Sequence, residues 1–204
     1  MRRNIIIADD FYTNPDEIRN IALNLEYPEP PEGTTYPGKN SSTTYYTQEA
    51  HQKVEQLLGR KVVPASGSAC GDFRISYEND AYRQFIHIDE GFDWGGVVFL
   101  NPPEQCVMNA GTSFYRHKRL RTEQVPTNPE EGEAFGYTNY LEVKKSIVYG
   151  DGLDENEWDC YLTVPMIYNR IVLFRPWLWH SHSKNFGNTP QNGRLVQLLF
   201  YTNE

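Results

Sequence analysis

Cysteine is scarce in this 204-residue chain: Cys70, Cys106 and Cys160 stand far apart, with no CxxC pair. That spacing argues against a structural zinc site, and the odd count points to free thiols in a reducing compartment. Long apolar runs are also missing. The N-terminal MRRNIII meets Asp9 and Asp10 at once, too short a run for a signal peptide or a membrane span. The expectation is a soluble, intracellular protein of the cytoplasm with no membrane partner. Positive charge is in deficit, 19 Lys and Arg against 27 Asp and Glu, a net charge of −8. A nucleic-acid backbone is therefore not the expected partner. The one local exception, HKRLR at residues 117–121, reads either as a basic patch or as a solvated loop.

Aromatic residues are plentiful, with 14 Tyr and 10 Phe, and they favour strands. Thirteen Pro and 15 Gly supply many turns. The length fits a single domain, 1–204. A short apolar strand is expected at residues 4–8. A helix then starts at Asn14-Pro15-Asp16-Glu17, with Asn14 as N-cap and acids in the first turn. Residues 27–44 read as a long loop and residues 48–58 as a second helix burying Val54, Leu57 and Leu58. From Gly71 the pattern changes to strands, at residues 73–77, 83–89, 96–100, 111–115, 161–167, 170–174 and 194–202. The polar, Glu-rich segment 118–159, with a short helix near residues 140–148, reads as an insertion: a substrate lid or a peripheral decoration. Two helices followed by many strands give an α+β domain built on a β-sandwich or barrel.

The chemistry gathers at His87-Ile88-Asp89. Strand side chains alternate, so His87 and Asp89 project together. With one distant His they make a facial triad that leaves open metal positions. A lone His-x-Asp also fits a hydrogen-bonded pair on a surface strand. The chain supplies a third ligand in His180, with His182 as a rival on the same strand face. Trp177 and Trp179 beside them suit a pocket wall or core packing. His117 and His51 read as surface residues. Arg194 opens the last strand, and a guanidinium there can grip a carboxylate with two parallel hydrogen bonds.

Taken together, His87-x-Asp89, the later His180 and an Arg fourteen residues beyond it resemble the Fe(II)/2-oxoglutarate-dependent dioxygenase superfamily. The detail is similar to its prolyl-hydroxylase-like branch: Tyr77 stands ten residues before His87, Gly96-Val-Val-Phe-Leu-Asn101 looks like the strand ending in Leu-Asn, and Ala110-Gly111-Thr112-Ser113-Phe114 looks like the Gly-rich turn. Asp9-Asp10-Phe11 before a helix resembles its N-terminal opening. The resemblance implies a double-stranded β-helix, or jelly-roll, with N-terminal helices packed on one sheet. It also implies iron at His87, Asp89 and His180, 2-oxoglutarate held by Arg194 with help from Tyr77, and hydroxylation of a C–H bond in an amino-acid, peptidyl or other small substrate. Phe99 stands where the family often has a cosubstrate-binding Tyr, and the His180–Arg194 spacing is slightly long. A cupin-like metal enzyme that does not use 2-oxoglutarate, or a non-catalytic jelly-roll binding protein, are the alternatives. Substrate and oligomeric state stay open.

Overall fold

The structure is a computed structural model and describes residues 3–34, 36–80, 86–137 and 140–204. Its elements in chain order are β1 (Ile5–Ala8), α1 (Pro15–Leu23), β2 (Lys39–Asn40), α2 (Gln48–Leu58), β3 (Val62–Pro64), β4 (Phe73–Ser76), β5 (Trp94–Phe99), β6 (Thr112–His117), α3 (Pro129–Ala134), α4 (Tyr140–Tyr149), β7 (Trp158–Val164), β8 (Ile171–Phe174), β9 (His180–His182) and β10 (Arg194–Asn203). The expected strand at 83–89 begins outside the described residues. From residue 86 onward it makes only an isolated bridge, His87 to His180.

Strand β10 organises the molecule because both of its faces are buried. Leu195, Leu199 and Tyr201 join a core shared with α1 and α2, whereas Val196 and Leu198 join a second core on the opposite face. The strand therefore reads as a continuous apolar run. Strand β8 divides in the same way, with Ile171 and Leu173 toward the helices and Val172 and Phe174 toward the interior. These strands lie in a seven-stranded antiparallel sheet ordered β1-β8-β5-β10-β4-β2, with β3 pairing β10. A smaller sheet, β7-β6-β9, faces it. Phe114 of β6 and Val164 of β7 meet Phe99, Val172, Phe174 and Val196 between the two sheets. Two facing antiparallel sheets with the N-terminal helices on the outside of the larger one make a jelly-roll, the double-stranded β-helix.

Local signals account for the helices. Pro15 occupies the first turn of α1 beside Asp16 and Glu17. Asn14 stands at the N-cap without a side-chain capping bond; its amide donates to Glu17 Oε2 at 3.0 Å instead. Helix α2 has a true side-chain cap, Thr47 accepting from the Ala50 amide at 3.1 Å, and ends at Gly59 with φ 67°. Helix α4 lies within the expected insertion. Its Val143 and Ile147 are fully buried against Ile86, Trp158 and Trp179, a third core cluster. Among the described residues no helix is long and apolar enough to cross a membrane. The cysteines are all free, Cys70 buried and Cys160 exposed.

Candidate metal centre

The reciprocal bridge His87 N to His180 O and His180 N to His87 O, both 3.0 Å, brings two imidazoles from distant sequence together. Their ring centroids lie 4.5 Å apart. Asp89 follows two residues later, its backbone N–H held by the Pro176 carbonyl at 2.9 Å. The carboxylate then reaches both rings: Oδ1 is 3.8 Å from His87 Nε2 and Oδ2 is 3.3 Å from His180 Nε2. One ligand atom from each of the three lies within 4.8 Å of the other two. Ligands at right angles around an ion about 2.1 Å away sit about 3 Å apart, so this set fits a small transition metal with little adjustment.

The chemistry of the donors fits as well. His180 Nδ1 is 2.8 Å from the Leu178 carbonyl, which can only accept. Nδ1 therefore carries the proton and Nε2 presents its lone pair. Burial alone would raise the Asp89 carboxyl, but His180, His87 and Arg74 outweigh it and hold the group below the usual carboxylate range. The site thus offers one anionic oxygen and two imidazoles.

His182, the rival of His180, lines the same cavity but is not one of the three clustered ligands. Burial comes first, with Arg194, His87 and Arg74 adding to it, in lowering its pKa well below the ordinary histidine value, so its ring is neutral. His182 pairs with Thr112, whereas His180 pairs with Phe114 on one side and bridges His87 on the other.

Arg194 is almost wholly buried, 4% exposed, and lines the cavity. Its Nε donates to the Ala110 carbonyl at 2.9 Å and an Nη to that of Gly111 at 3.3 Å. Gly111 is required there, since a Cβ would lie 1.8 Å from the Val164 carbonyl oxygen. Asn101 fixes the backbone on both sides of Arg194: its Nδ2 donates to the Gly193 carbonyl at 2.7 Å and its Oδ1 accepts from the Leu195 amide at 2.8 Å. The Leu-Asn end of β5 is thus a clamp on the start of β10. Phe99, at the position that often carries a Tyr, is buried with the Arg194 guanidinium 5.8 Å from its ring centroid.

The cavity measures about 500 Å³ and contains His87, Asp89, His180 and Arg194 together. Val97, Phe174 and Leu198 wall it from the larger sheet, and Val148 and Tyr149 from α4. The structure does not bring Tyr77 there. Phe73 and Ile75 face the helical core, and Tyr77 continues that face, its ring against Gly193 and the first core cluster. Arg74 and Ser76 take the cavity side of β4. Arg74 is a residue that sequence reasoning missed. Its Nε donates to Asn40 Oδ1 at 2.7 Å and its guanidinium lies 3.7 Å from the Tyr36 ring centroid. Burial lowers its pKa to about 10, so it stays cationic at neutral pH. Trp177 and Trp179 are not among the described residues that line the cavity: Trp179 is fully buried against Trp158, and Trp177 packs at the edge of the same cluster.

His117 is a correction to the surface reading, with no exposure. Its ring stacks edge-on against Trp158, 4.7 Å between centroids. With Asp151 and Glu157 it forms a second group of metal-ligand type. Its Nδ1 accepts from the Leu120 amide at 3.2 Å, so Nε2 carries the proton toward Asp151 Oδ2 at 2.9 Å. Both ring nitrogens are then used, and the group is a structural pin. Lys118 and Arg119 disperse to Asp159 and Asp151 instead of forming a patch. His51 is half-buried on Tyr46, 2.6 Å from its hydroxyl.

Comparison with solved structures finds the same fold in non-haem oxygenases. HygX of Streptomyces hygroscopicus, solved with nickel, 2-oxoglutarate and hygromycin B bound, superposes with a TM-score of 0.54 at 10% identity, over 98% of this chain and 83% of that one. SnoK, a non-haem alpha-ketoglutarate-dependent carbocyclase from nogalamycin biosynthesis, gives 0.53 at 11%, over 98% and 80%. A prolyl hydroxylase from Trichoplax adhaerens, in complex with a hypoxia inducible factor peptide fragment, gives 0.51 at 12%, over 98% and 84%. The chain has the double-stranded β-helix of this oxygenase class. By sequence it belongs to the family of unknown function DUF6445, which matches residues 1–201. The curated proteins contain no match to it.

Proposed function

We infer that this chain is an Fe(II)- and 2-oxoglutarate-dependent oxygenase that hydroxylates a C–H bond of an amino-acid, peptidyl or other small substrate. The observation that carries this reading is the meeting of the His87–Asp89–His180 cluster and Arg194 in one cavity. Metal binding by itself needs no arginine. A buried guanidinium beside a metal-ligand cluster suits a chelator with a second, distant carboxylate, which HygX binds as 2-oxoglutarate.

His87, Asp89 and His180 would hold the metal ion, and a set of three protein ligands would leave positions for ligands from the cavity. When bound, Fe(II) with 2-oxoglutarate and dioxygen supplies the oxidising power for C–H hydroxylation. Asp89 contributes the anionic ligand, and the Leu178 carbonyl keeps His180 in the ligating tautomer. Arg194, braced by Ala110, Gly111 and Asn101, receives the distal carboxylate at a fixed register. Val97, Phe174 and Leu198 make a wall that excludes water around the reacting carbon. Helix α4, within 118–159, closes one side of the cavity through Val148 and Tyr149, which favours a substrate-facing wall over a peripheral decoration.

The test is uncoupled turnover of 2-oxoglutarate. Purified protein with Fe(II), ascorbate and 2-oxoglutarate is assayed for succinate formation under air, with Asp89→Ala as control. Succinate from the wild type alone supports the reading. Equal background from both proteins moves weight to a cupin-like metal enzyme or a binding protein.

A further inference from the structure

We propose that Arg74 is a substrate-recognition residue and that the primary substrate carries a carboxylate next to an apolar body. The proposal rests on the occupancy inferred above, since it concerns the charge left over once that occupancy is counted.

Arg74 sits on β4 opposite Val196, and Arg194 sits opposite Ser76, so the two arginines are diagonal neighbours on the inner face of one sheet. A single 2-oxoglutarate has one carboxylate at the metal and one for a guanidinium, and Arg194 is the arginine braced at the start of β10. Arg74 is anchored differently. Asn40 takes its Nε and Tyr36 covers one face, and the side chain lines the cavity. Among the described residues no carboxylate pairs with it at ion-pair distance and Nε alone of its nitrogens donates a hydrogen bond. A guanidinium so fixed, with its paired donors unused, is shaped to receive an oxyanion.

Charge counting gives the same answer. The two positive charges of Fe(II) match the two negative charges of 2-oxoglutarate, and Asp89 matches one arginine. Lys145 and Glu90, both exposed at the rim, offset each other. Among the described residues one positive charge then remains inside the cavity, on Arg74. Burying it uncompensated is expensive, so an anionic substrate binds better than a neutral one of the same shape. The rest of the wall is apolar near this point, with Val97, Leu198 and Phe200. The ligand that fits is a monoanionic carboxylate with an aliphatic or aryl body.

The experiment uses matched probes: 4-phenylbutyrate, hexanoate and N-acetylleucine, each against its uncharged primary amide. They are titrated by calorimetry into protein loaded with redox-inert Ni(II) and 2-oxoglutarate. At least one acid should bind about tenfold or more tightly than its amide, the worth of one charge-assisted hydrogen bond. Arg74→Gln should erase that preference and Arg74→Lys should keep part of it, with 2-oxoglutarate affinity changed by less than about threefold in both. Asn40→Ala leaves the charge but releases the anchor, so it should weaken the acid and leave the amide unchanged. That variant keeps the test open should Arg74→Gln fail to fold. Three results overturn the proposal: no acid–amide preference in the wild type, a preference that survives Arg74→Gln, or loss of 2-oxoglutarate binding in Arg74→Gln, which would give Arg74 to the cosubstrate. If wild-type protein does not bind 2-oxoglutarate, the oxygenase reading fails separately, and the acid–amide comparison on the Ni(II) protein alone still decides the role of Arg74.

Discussion

Replacing Arg194 by Ala separates cosubstrate binding from metal binding. Arg194 is 4% exposed as a residue and its guanidinium is anchored on two backbone carbonyls, so a carboxylate docked against it is largely withdrawn from water. Truncating one partner of such a buried charge pair costs about 2–5 kcal/mol. At about 1.4 kcal/mol per tenfold, the dissociation constant for 2-oxoglutarate should rise by roughly 30-fold to 5,000-fold. Fe(II) affinity should stay near the wild-type value, because Arg194 is not one of the three clustered ligands. The carbonyls of Ala110 and Gly111 also lose a donor, at about 1–3 kcal/mol of stability for a buried acceptor left unmade. A melting curve therefore accompanies the titration, and Arg194→Lys provides a variant that keeps the charge and loses the fork. The assay is anaerobic calorimetric titration of 2-oxoglutarate into the iron-loaded proteins. If wild type, Ala and Lys variants titrate alike while all remain folded, Arg194 does not hold the cosubstrate.

His180→Ala should abolish stoichiometric Fe(II) binding measured by metal analysis, whereas His182→Ala should retain it; the reverse pattern would exchange the two histidines. Asn101→Ala removes both hydrogen bonds that flank Arg194, so it should lower stability by about 1–3 kcal/mol in denaturant titrations and weaken 2-oxoglutarate binding without moving Fe(II) affinity. Ile147→Ala empties a fully buried site under α4 and should cost about 2–5 kcal/mol by chemical denaturation, with metal binding intact; a negligible loss would mean that α4 is not docked as described. Glu49 is held at a pKa of about 2, by the Lys53 ammonium first and the Thr13 hydroxyl next. A depressed carboxyl contributes stability that is complete above its unfolded value near 4.3 and is lost as the pH falls toward 2. Glu49→Gln should therefore flatten the acid-unfolding curve in that window, and an unchanged curve would count against the ion pair.

Much of the candidate site is legible in the sequence because its geometry is periodic. Alternation predicts that His87 and Asp89 share a side, and they do so although the segment makes only an isolated bridge at His87; Arg194 opens a strand whose apolar run announces burial on both sides. The same period also argues against Tyr77, since Phe73, Ile75 and Tyr77 fall on the helix-facing side of β4. That face was unreadable until the core on each side was known. Arg74 was hidden for the complementary reason: an arginine in FRIS looks like the solvent position of an alternating strand, and only the pairing with Val196 turns that face into a cavity wall. His117 was misread from its basic neighbours. It is the last residue of β6 and points inward, while Lys118 and Arg119 already belong to the turn. Segment 118–159 reads as either a lid or a decoration, and its short helix near 140–148 is legible; that Val143 and Ile147 seat this helix in a core with Ile86, Trp158 and Trp179 is not, because their partners lie far away in sequence. Such cases depend on which strands pair, and long-range pairing is set by the whole fold.

The most direct measurement of the central claim is an anaerobic titration of Fe(II) and then 2-oxoglutarate, followed by visible absorption. The wild type should take up a single iron per chain and develop a weak charge-transfer band on adding 2-oxoglutarate, while Asp89→Ala and His180→Ala should show neither. A wild type that binds iron without the band, or variants that develop it undiminished, would contradict a 2-oxoglutarate site built on His87, Asp89 and His180.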